Sequence, residues 1–448
     1  MTTSSDSSST GSGLTQRTEP TLSDPIADEK LERAEDQKVY DEIDYPDGGI
    51  KAWSVVFGCW CAMLGSFGIW NSVGVFQAYL SENQLSQYSE GDISWIFSVF
   101  SFLFFFCGVQ IGPIFDAYGL KPLVIPGSIG FVLSIILFSL GNEYYQFFLS
   151  FSILGGISCS LVFTPSIAAT NQWFNVRRGL ATGIATTGGG FGGVIFPILV
   201  RALIPKVGFG WTLRIVAFIC LVTSTLAVIC LRTRFPPNRA SGATIDLSAF
   251  KDRRFAATAC ATFMIEWALQ IPQTYFTSFA LYKGVDTTFA YQMIAILNGA
   301  SIFGRWLPGY VADRFGRFNT MIATIFMCAV FSLSLWMVSS AVDGTKTGLM
   351  IAYLVCFGFA SGSGISLTPV CLAQISDMRE YGKRYGTTFS FASLGTLTGV
   401  PIAGAILKAQ NGQYDGLIAY CGSCYIVCLM FLILARGFGG GWALRKVY

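Results

Sequence analysis

The sequence predicts an all-α membrane protein, twelve transmembrane helices in two pseudo-symmetric six-helix bundles. Three observations carry this expectation. Of the 448 residues, 52% are apolar and only 12% are charged, roughly half the charge of a soluble chain. The apolar residues run in unbroken blocks of roughly 20, the length that crosses a bilayer core as a helix, whereas the strands of a membrane barrel would alternate. The third observation is a duplicated charged turn. NGASIFGRWLPGYVADRFGR, Asn298 to Arg317, leads from one apolar block to the next through Gly309, Asp313, Gly316 and Arg317. GPIFDAYGLK does the same through Gly112, Asp116, Gly119 and Lys121, about 200 residues earlier, as expected of two homologous halves.

Residues 1–46 are rich in Ser, Thr, Asp and Glu, which predicts a disordered tail. No cleavable signal pattern precedes the first apolar block, so that block is expected to direct the chain to the membrane. Spans are expected at about 53–80, 92–115, 120–141, 145–170, 178–204, 211–231, 253–281, 288–312, 318–340, 347–373, 384–408 and 416–436. The longest connection divides them six and six. The expected domains are a cytoplasmic tail over 1–46, an N-terminal bundle over 47–231, a cytoplasmic linker over 232–252, a C-terminal bundle over 253–436 and a short cytoplasmic tail over 437–448.

Basic residues orient the chain. With the N-terminus in the cytoplasm, the cytoplasmic turns hold Lys121, Arg177, Arg178, the linker cluster, Arg314, Arg317, Arg379, Lys383 and Arg384, while two of the opposite turns, 81–91 and 142–144, hold no Lys or Arg and the turn near 205–210 holds Lys206, with Arg201 and Arg214 at its edges. The positive-inside rule then places both termini in the cytoplasm. There is no His, so no imidazole titrates near neutrality. Most of the 13 Cys lie singly inside spans, where Cys packs as a small apolar residue. Cys421 and Cys424 spell C-x-x-C within the last span, where packing outweighs a redox or metal role.

The duplication extends beyond the turn. Thr164-Pro165 recurs as Thr368-Pro369, Arg178-Gly179 as Tyr385-Gly386, and Gly193-Val194 as Gly399-Val400. Gly179, Gly183, Gly188, Gly189, Gly190, Gly192 and Gly193 crowd the fifth span. A phosphate-cradling loop would close on a Lys-Ser/Thr pair, which is not there. The four-residue spacing instead lets helices approach closely.

Two charges lie deep inside spans. Glu266 sits roughly 18 Å and Arg305 roughly 12 Å from the cytoplasmic ends of their helices at the helical rise. Such charges are tolerated where they line a cavity or find a partner, so a structural Glu–Arg pair and a binding site both stand as readings. Each belongs to a polar stripe, Thr262, Glu266, Gln270 and Thr274 in one span and Asn298, Ser301 and Arg305 in the next, on one face of its helix. Trp70, beside Asn71, and Trp267, beside Glu266, are the aromatic candidates for cavity walls.

The fuller turn, Gly309, Asp313, Arg314, Gly316 and Arg317, resembles the G-x-x-x-D-R-x-G-R/K turn of the major facilitator superfamily. Asp47-Gly48-Gly49 followed by Trp53, and WFNVRRGLATGIATTGGGFGG from Trp173 to Gly193, resemble the monocarboxylate-porter branch, closest to its fungal members. The resemblance covers about residues 47 to 436 and implies a secondary transporter whose halves rock around a substrate near the midplane. It implies that Asp116, Asp313, Arg314 and Arg317 are gating residues that latch the halves, with Ala117 standing where the first copy would carry its arginine. It also implies that Arg305, four residues before Gly309, binds substrate. Ser301 and Asn71 replace the aspartate and the lysine that the branch places nearby. Two of its three charged positions are therefore neutral, which argues against lactate-type proton symport of a small monocarboxylate.

The sequence therefore points to a secondary transporter of a small organic acid, or of a larger metabolite with an acidic or polar group, for import or export. The substrate-binding candidates are Arg305, Asn71, Glu266, Gln270, Asn298, Ser301 and Trp70. Glu266 is also the candidate for proton coupling. No ATP-binding or covalent-catalysis constellation is present, so an enzyme is not expected, and neither is a cofactor or a metal. The expected partners are a small organic solute, protons if transport is coupled, and the lipid bilayer, with no nucleic acid; the chain is expected to be monomeric. Its expected place is the plasma membrane, with the vacuolar membrane as the alternative. A non-transporting sensor, a uniporter for a neutral metabolite and a channel are the competing readings. The short tail GFGGGWALRKVY speaks against a sensor, and the duplicated gating turn against a channel.

Overall fold

The computed structural model describes residues 45–238, 247–342 and 344–441. Nearly all of the expected N-terminal tail, the middle of the linker and most of the C-terminal tail lie outside the described residues. Twelve spans follow one another. They begin with α1 (Gly49–Glu82), α2 (Gly91–Tyr118), α3 (Lys121–Phe138) and α4 (Tyr144–Asn171). The 53-residue run Arg178–Cys230 holds two more, joined across Gly208 at φ +77; its arms before and after that glycine are α5 and α6. A positive φ costs an L side chain energy that glycine avoids. The second half is α7 (Arg253–Tyr282), α8 (Thr287–Phe315), α9 (Arg317–Ala341), α10 (Thr347–Gln374), α11 (Tyr381–Ala409) and α12 (Asp415–Gly440).

Nine helices among the described residues are long and apolar enough to cross a membrane, the α5–α6 run counting once. The other two spans, α7 and α8, have 30 and 29 residues, so length is not what they lack. They carry Glu266, Gln270 and Gln273, and Asn298, Arg305 and Asp313. These polar groups turn inward: Glu266, Asn298, Ser301 and Arg305 are each no more than 4% exposed. The first span is interrupted too. It consists of Gly49–Trp70 and Val73–Glu82, with Asn71 and Ser72 between them.

Inside the first half, α1 lies along α5. A Cβ on Gly68 would fall 2.7 Å from the Gly192 Cα, and one on Gly192 would fall 2.5 Å from the Gly68 Cα, so only glycine permits this approach. Between the halves, α2 packs on α11 and α8 packs on α5, two contacts related by the internal pseudo-symmetry. Both use glycine against backbone. A Cβ on Gly112 would lie 2.0 Å from the Gly382 carbonyl oxygen, and one on Gly309 would lie 2.3 Å from that of Gly179. One turn further in, Gly386 meets the Gly108 carbonyl and Gly183 meets the Arg305 carbonyl. Arg305 thus occupies in the second half the position of Gly108 in the first. The contacts also correct the internal alignment: Gly179 corresponds to Gly382 and not to Gly386. The spacing of Gly382 and Gly386 offers two registers one turn apart, and only the packing chooses between them.

Candidate functional site

Two carboxylates join the halves at the end that carries the charged turns. Asp313, in the last turn of α8, accepts hydrogen bonds from the Gly179 N–H through Oδ1 and the Leu180 N–H through Oδ2, each at 2.8 Å. Asp116, in the last turn of α2, accepts from the Gly382 and Lys383 N–H groups at 3.0 and 2.7 Å. Each carboxylate therefore covers the first turn of a helix from the opposite half. The N–H groups there have no partner within their own helix, and their partial positive charge favours an anion. Ala117 removes no bond across this interface. Its counterpart Arg314 is exposed and lies over its own Tyr310 ring at 4.4 Å. Arg317 does cross, donating to the Asn175 carbonyl.

Asn175 is itself held in place. Asp47 Oδ1 accepts from the Asn175 and Arg177 N–H groups at 2.8 and 3.1 Å, and Trp53 packs edge-on to Phe174 at 5.3 Å. The two stretches flagged in sequence at the mouths of α1 and α5 are thus parts of one contact.

Asp313→Asn is expected to weaken this closed interface without unfolding the protein. The amide keeps one acceptor but points N–H donors at a backbone N–H. Losing a bond to an ionised acceptor costs about 2 kcal/mol, roughly a 30-fold shift in the closed–open balance. Labelling of a cysteine placed at Leu180, in protein of normal thermal stability, should rise accordingly. Unchanged labelling would show that the carboxylate does not hold the halves.

Deeper in, the interface becomes amide and aromatic. Asn171 of α4 donates to the Tyr381 hydroxyl at 3.3 Å and accepts from Thr182 at 3.2 Å. Phe105 and Phe163 meet Phe389 across the halves at ring distances of 5.7 and 6.0 Å. Sequence reasoning passed over Asn171, although an amide closing an apolar span was a visible signal.

At mid-depth lies a cleft with about 270 Å³ of empty space. It is lined by Phe67 and Trp70 of α1, Leu269 and Gln273 of α7, Leu297, Asn298, Ser301 and Arg305 of α8, and Ser361, Gly362 and Ile365 of α10. Much of that space is open to solvent, and the room enclosed in this conformation is that of about one water. A second cleft of about 260 Å³ sits beside Asp116 and the start of the linker, but that carboxylate is already spent on α11.

Arg305 is the one charged residue of the mid-depth cleft. Its Nη1 donates to the Thr186 carbonyl of α5 at 2.6 Å, its guanidinium lies 5.2 Å from the Phe67 ring centre, and its buried Nε has no hydrogen-bond partner. Asn298 donates to the Gly193 carbonyl at 3.2 Å, and Ser301 bonds back to its own helix at Asn298. Trp70 lines the cleft while its indole N–H donates to Ser101 at 3.2 Å.

The structure separates the other candidates from this group. Glu266 is buried, with Oε2 unpartnered, and no ion pair joins it to Arg305 among the described residues. The two charges make no direct ion pair, although they lie within electrostatic reach of each other. Asn71, at the break in α1, donates to the Gly189 carbonyl at 3.0 Å and stands next to the lining. Gln270 is half-buried and does not line the cleft, Thr274 is exposed, and Trp267 packs into α11 at Gly395 and Gly399. A stripe in steps of four drifts by about 40° per step on a helix of 3.6 residues per turn, so it winds off the face. The α7 residues that line the cleft are Leu269 and Gln273, and the sequence reading missed Gln273 together with Phe67 and Ser361.

Known proteins place this architecture. The model of the Major Facilitator Superfamily matches residues 55–351. The chain is 39% identical to "MFS transporter asaE" of Aspergillus flavus, over 90% of each chain. It is 35% identical to "Riboflavin transporter MCH5" of Saccharomyces cerevisiae, over 90% of this chain and 81% of that one. It is 36% identical to "Fujikurins efflux protein" of Gibberella fujikuroi, over 88% of this chain and 83% of that one. Among solved structures, the proton:xylose symporter XylE superposes with a TM-score of 0.69 at 13% identity, covering 85% of this chain and 94% of that one; this likeness is one of fold. Twelve spans in two halves around a cleft, together with these similarities, show that the chain belongs to the major facilitator superfamily and is a multi-pass membrane transporter.

Proposed function

We propose that the chain exports an organic acid, or a larger metabolite with an acidic or polar group, by alternating access around the mid-depth cleft. The observation that carries this reading is Arg305: a buried guanidinium beside an aromatic ring, with Nε unpartnered, opening on a cleft between the halves. A guanidinium keeps its charge and offers a planar set of donors that matches a carboxylate. Phe67 and Trp70 would take the apolar part of the solute. Asp116, Asp313 and Arg317 are read as the gate, closed on the cytoplasmic side. We place both termini in the cytoplasm, the bundles at 47–231 and 253–436, and a monomer in the plasma membrane. Within the superfamily we group the chain with the monocarboxylate-porter branch. Relatives named for efflux, such as the fujikurins protein, support the direction.

Inside-out plasma-membrane vesicles test it. Aromatic carboxylates should accumulate in vesicles bearing the chain, faster with a pH gradient, and their amides should not. Accumulation of neither would remove the reading. A second reading, a carrier for a flat neutral metabolite, is favoured by the uncharged Asn71 and Ser301 and by the relative named as a riboflavin transporter. Accumulation of the amides would select it.

Glu266 is the proposed proton site, since it is buried within a span and the chain has no His. Glu266→Gln is nearly isosteric and cannot ionise. It is expected to lose uphill transport driven by a pH gradient while keeping substrate exchange. Unaltered accumulation with the same pH dependence would exclude Glu266 from coupling.

A further inference from the structure

The glycines of α5 serve two purposes. Gly188 and Gly192 take the close approach of α1, and Gly190 takes Ile302 of α8. Gly189 and Gly193 are different, because what a Cβ would strike there is the polar machinery of the site. At Gly189 it would lie 2.8 Å from the Phe67 ring and 3.0 Å from Arg305 Nη1. At Gly193 it would lie 2.8 Å from Asn71 Cβ and 3.1 Å from Asn298 Nδ2. The missing side chains let three donors reach backbone oxygen: Arg305 to Thr186, Asn71 to Gly189 and Asn298 to Gly193, at 2.6, 3.0 and 3.2 Å. Positions 186, 189 and 193 follow steps of three and four, so the three carbonyls form one stripe along α5. A helical carbonyl gives one lone pair to the N–H four residues on and keeps a second for another donor.

We propose that this stripe is the resident acceptor of the substrate site, and that an anionic oxygen of the solute binds by taking Arg305 from the Thr186 carbonyl. The inference rests on the reading of the cleft as a substrate site. A carboxylate is a stronger acceptor for a guanidinium than a neutral amide carbonyl, so the exchange favours an acid and not its amide. Arg305 faces the Phe67 ring and keeps Nε free, which suits a flat conjugated acid lying along Phe67 and Trp70. Arg305 and Asn298 belong to α8 and their acceptors to α5, so the same exchange releases one half from the other at the level of the substrate. Binding is thereby coupled to movement.

The test uses the full-length chain in lipid nanodiscs, with anthracene-9-carboxylate and its amide as probes read by fluorescence. Incorporating the α-hydroxy counterpart of threonine at Thr187 turns the Thr186 carbonyl into an ester carbonyl, a weaker acceptor. The acid is then expected to bind more tightly, by roughly threefold to tenfold, with the amide unchanged. A purely structural role predicts the opposite sign, because a helical N–H is lost as well. Gly189→Ala, which sets a methyl against Phe67 and Arg305, should weaken the acid by about tenfold or more and the amide by less than about twofold. Gly299→Ala, where a Cβ meets nothing within 4 Å, should leave both unaltered. Wild-type protein that does not prefer the acid, or an Arg305→Ala protein that still does, would remove the acid site itself. An Arg305-dependent preference that fails to tighten in the ester protein would remove only the carbonyl exchange.

Discussion

Arg305→Ala is expected to lower the affinity for an anionic substrate by about 100-fold or more, the loss of two charge-assisted hydrogen bonds at about 1.5–3 kcal/mol each. The fold should survive. A charge at mid-depth is costly to bury, and the hydrogen bond Arg305 makes to Thr186 goes to a carbonyl that the helix already engages. Arg305→Lys keeps the charge but loses the planar two-pronged geometry, and about tenfold weaker binding is expected. Phe67, which now faces the guanidinium, would face an ammonium instead. Equilibrium binding in nanodiscs, alongside thermal unfolding, checks both. An alanine protein that keeps wild-type affinity would take Arg305 out of the site, whatever its burial.

Gly112→Ala is expected to disable the gate more severely than either Asp→Asn change. The new methyl would sit 2.0 Å from the Gly382 carbonyl oxygen and 2.7 Å from its carbon. These are backbone atoms and have no rotamer to escape into, so α2 and α11 must separate by about 1 Å or more to restore ordinary contact. That displacement breaks the bonds from Gly382 and Lys383 to Asp116 together, whereas a lone amide substitution keeps one of them. Transport is expected to fall at least about tenfold at equal surface expression, a loss of about 1.4 kcal/mol or more in the closed state. Gly309→Ala, 2.3 Å from the Gly179 carbonyl oxygen, should behave likewise by pseudo-symmetry. Gly74→Ala, with nothing within 4 Å, is the matched control. Wild-type rates in Gly112→Ala would mean that the halves do not need this contact to close.

Much of this was legible in the chain because membrane helices write their signals locally. A run of about 20 apolar residues is a span whatever surrounds it. An acid at the end of a span, followed by a glycine turn and a base, is recognisable twice over, so Asp116 and Asp313 were found with no knowledge of what they touch. Glu266 and Arg305 stood out because a charge in an apolar run is rare. Their depth could be counted from the helix ends; their rotation about the helix axes could not. Polar stripes counted in steps of four put Gln270 and Thr274 beside the site and overlooked Gln273.

The sequence by itself determined the number and order of the spans, the duplication, the two carboxylates at the ends of spans and the buried charges, since each depends on composition or on spacing within two helical turns. Only the tertiary structure decided which groups meet. Glu266 and Arg305 are not joined, and Arg305 turns to a backbone carbonyl of α5. Gly179 pairs with Gly309, and so corresponds to Gly382. Asp47 braces the turn that receives Arg317. These outcomes depend on how far one helix is rotated and shifted against another from a distant part of the chain. That is fixed by where missing side chains let two backbones touch, and glycine spacing within a single helix allows more than one such fit.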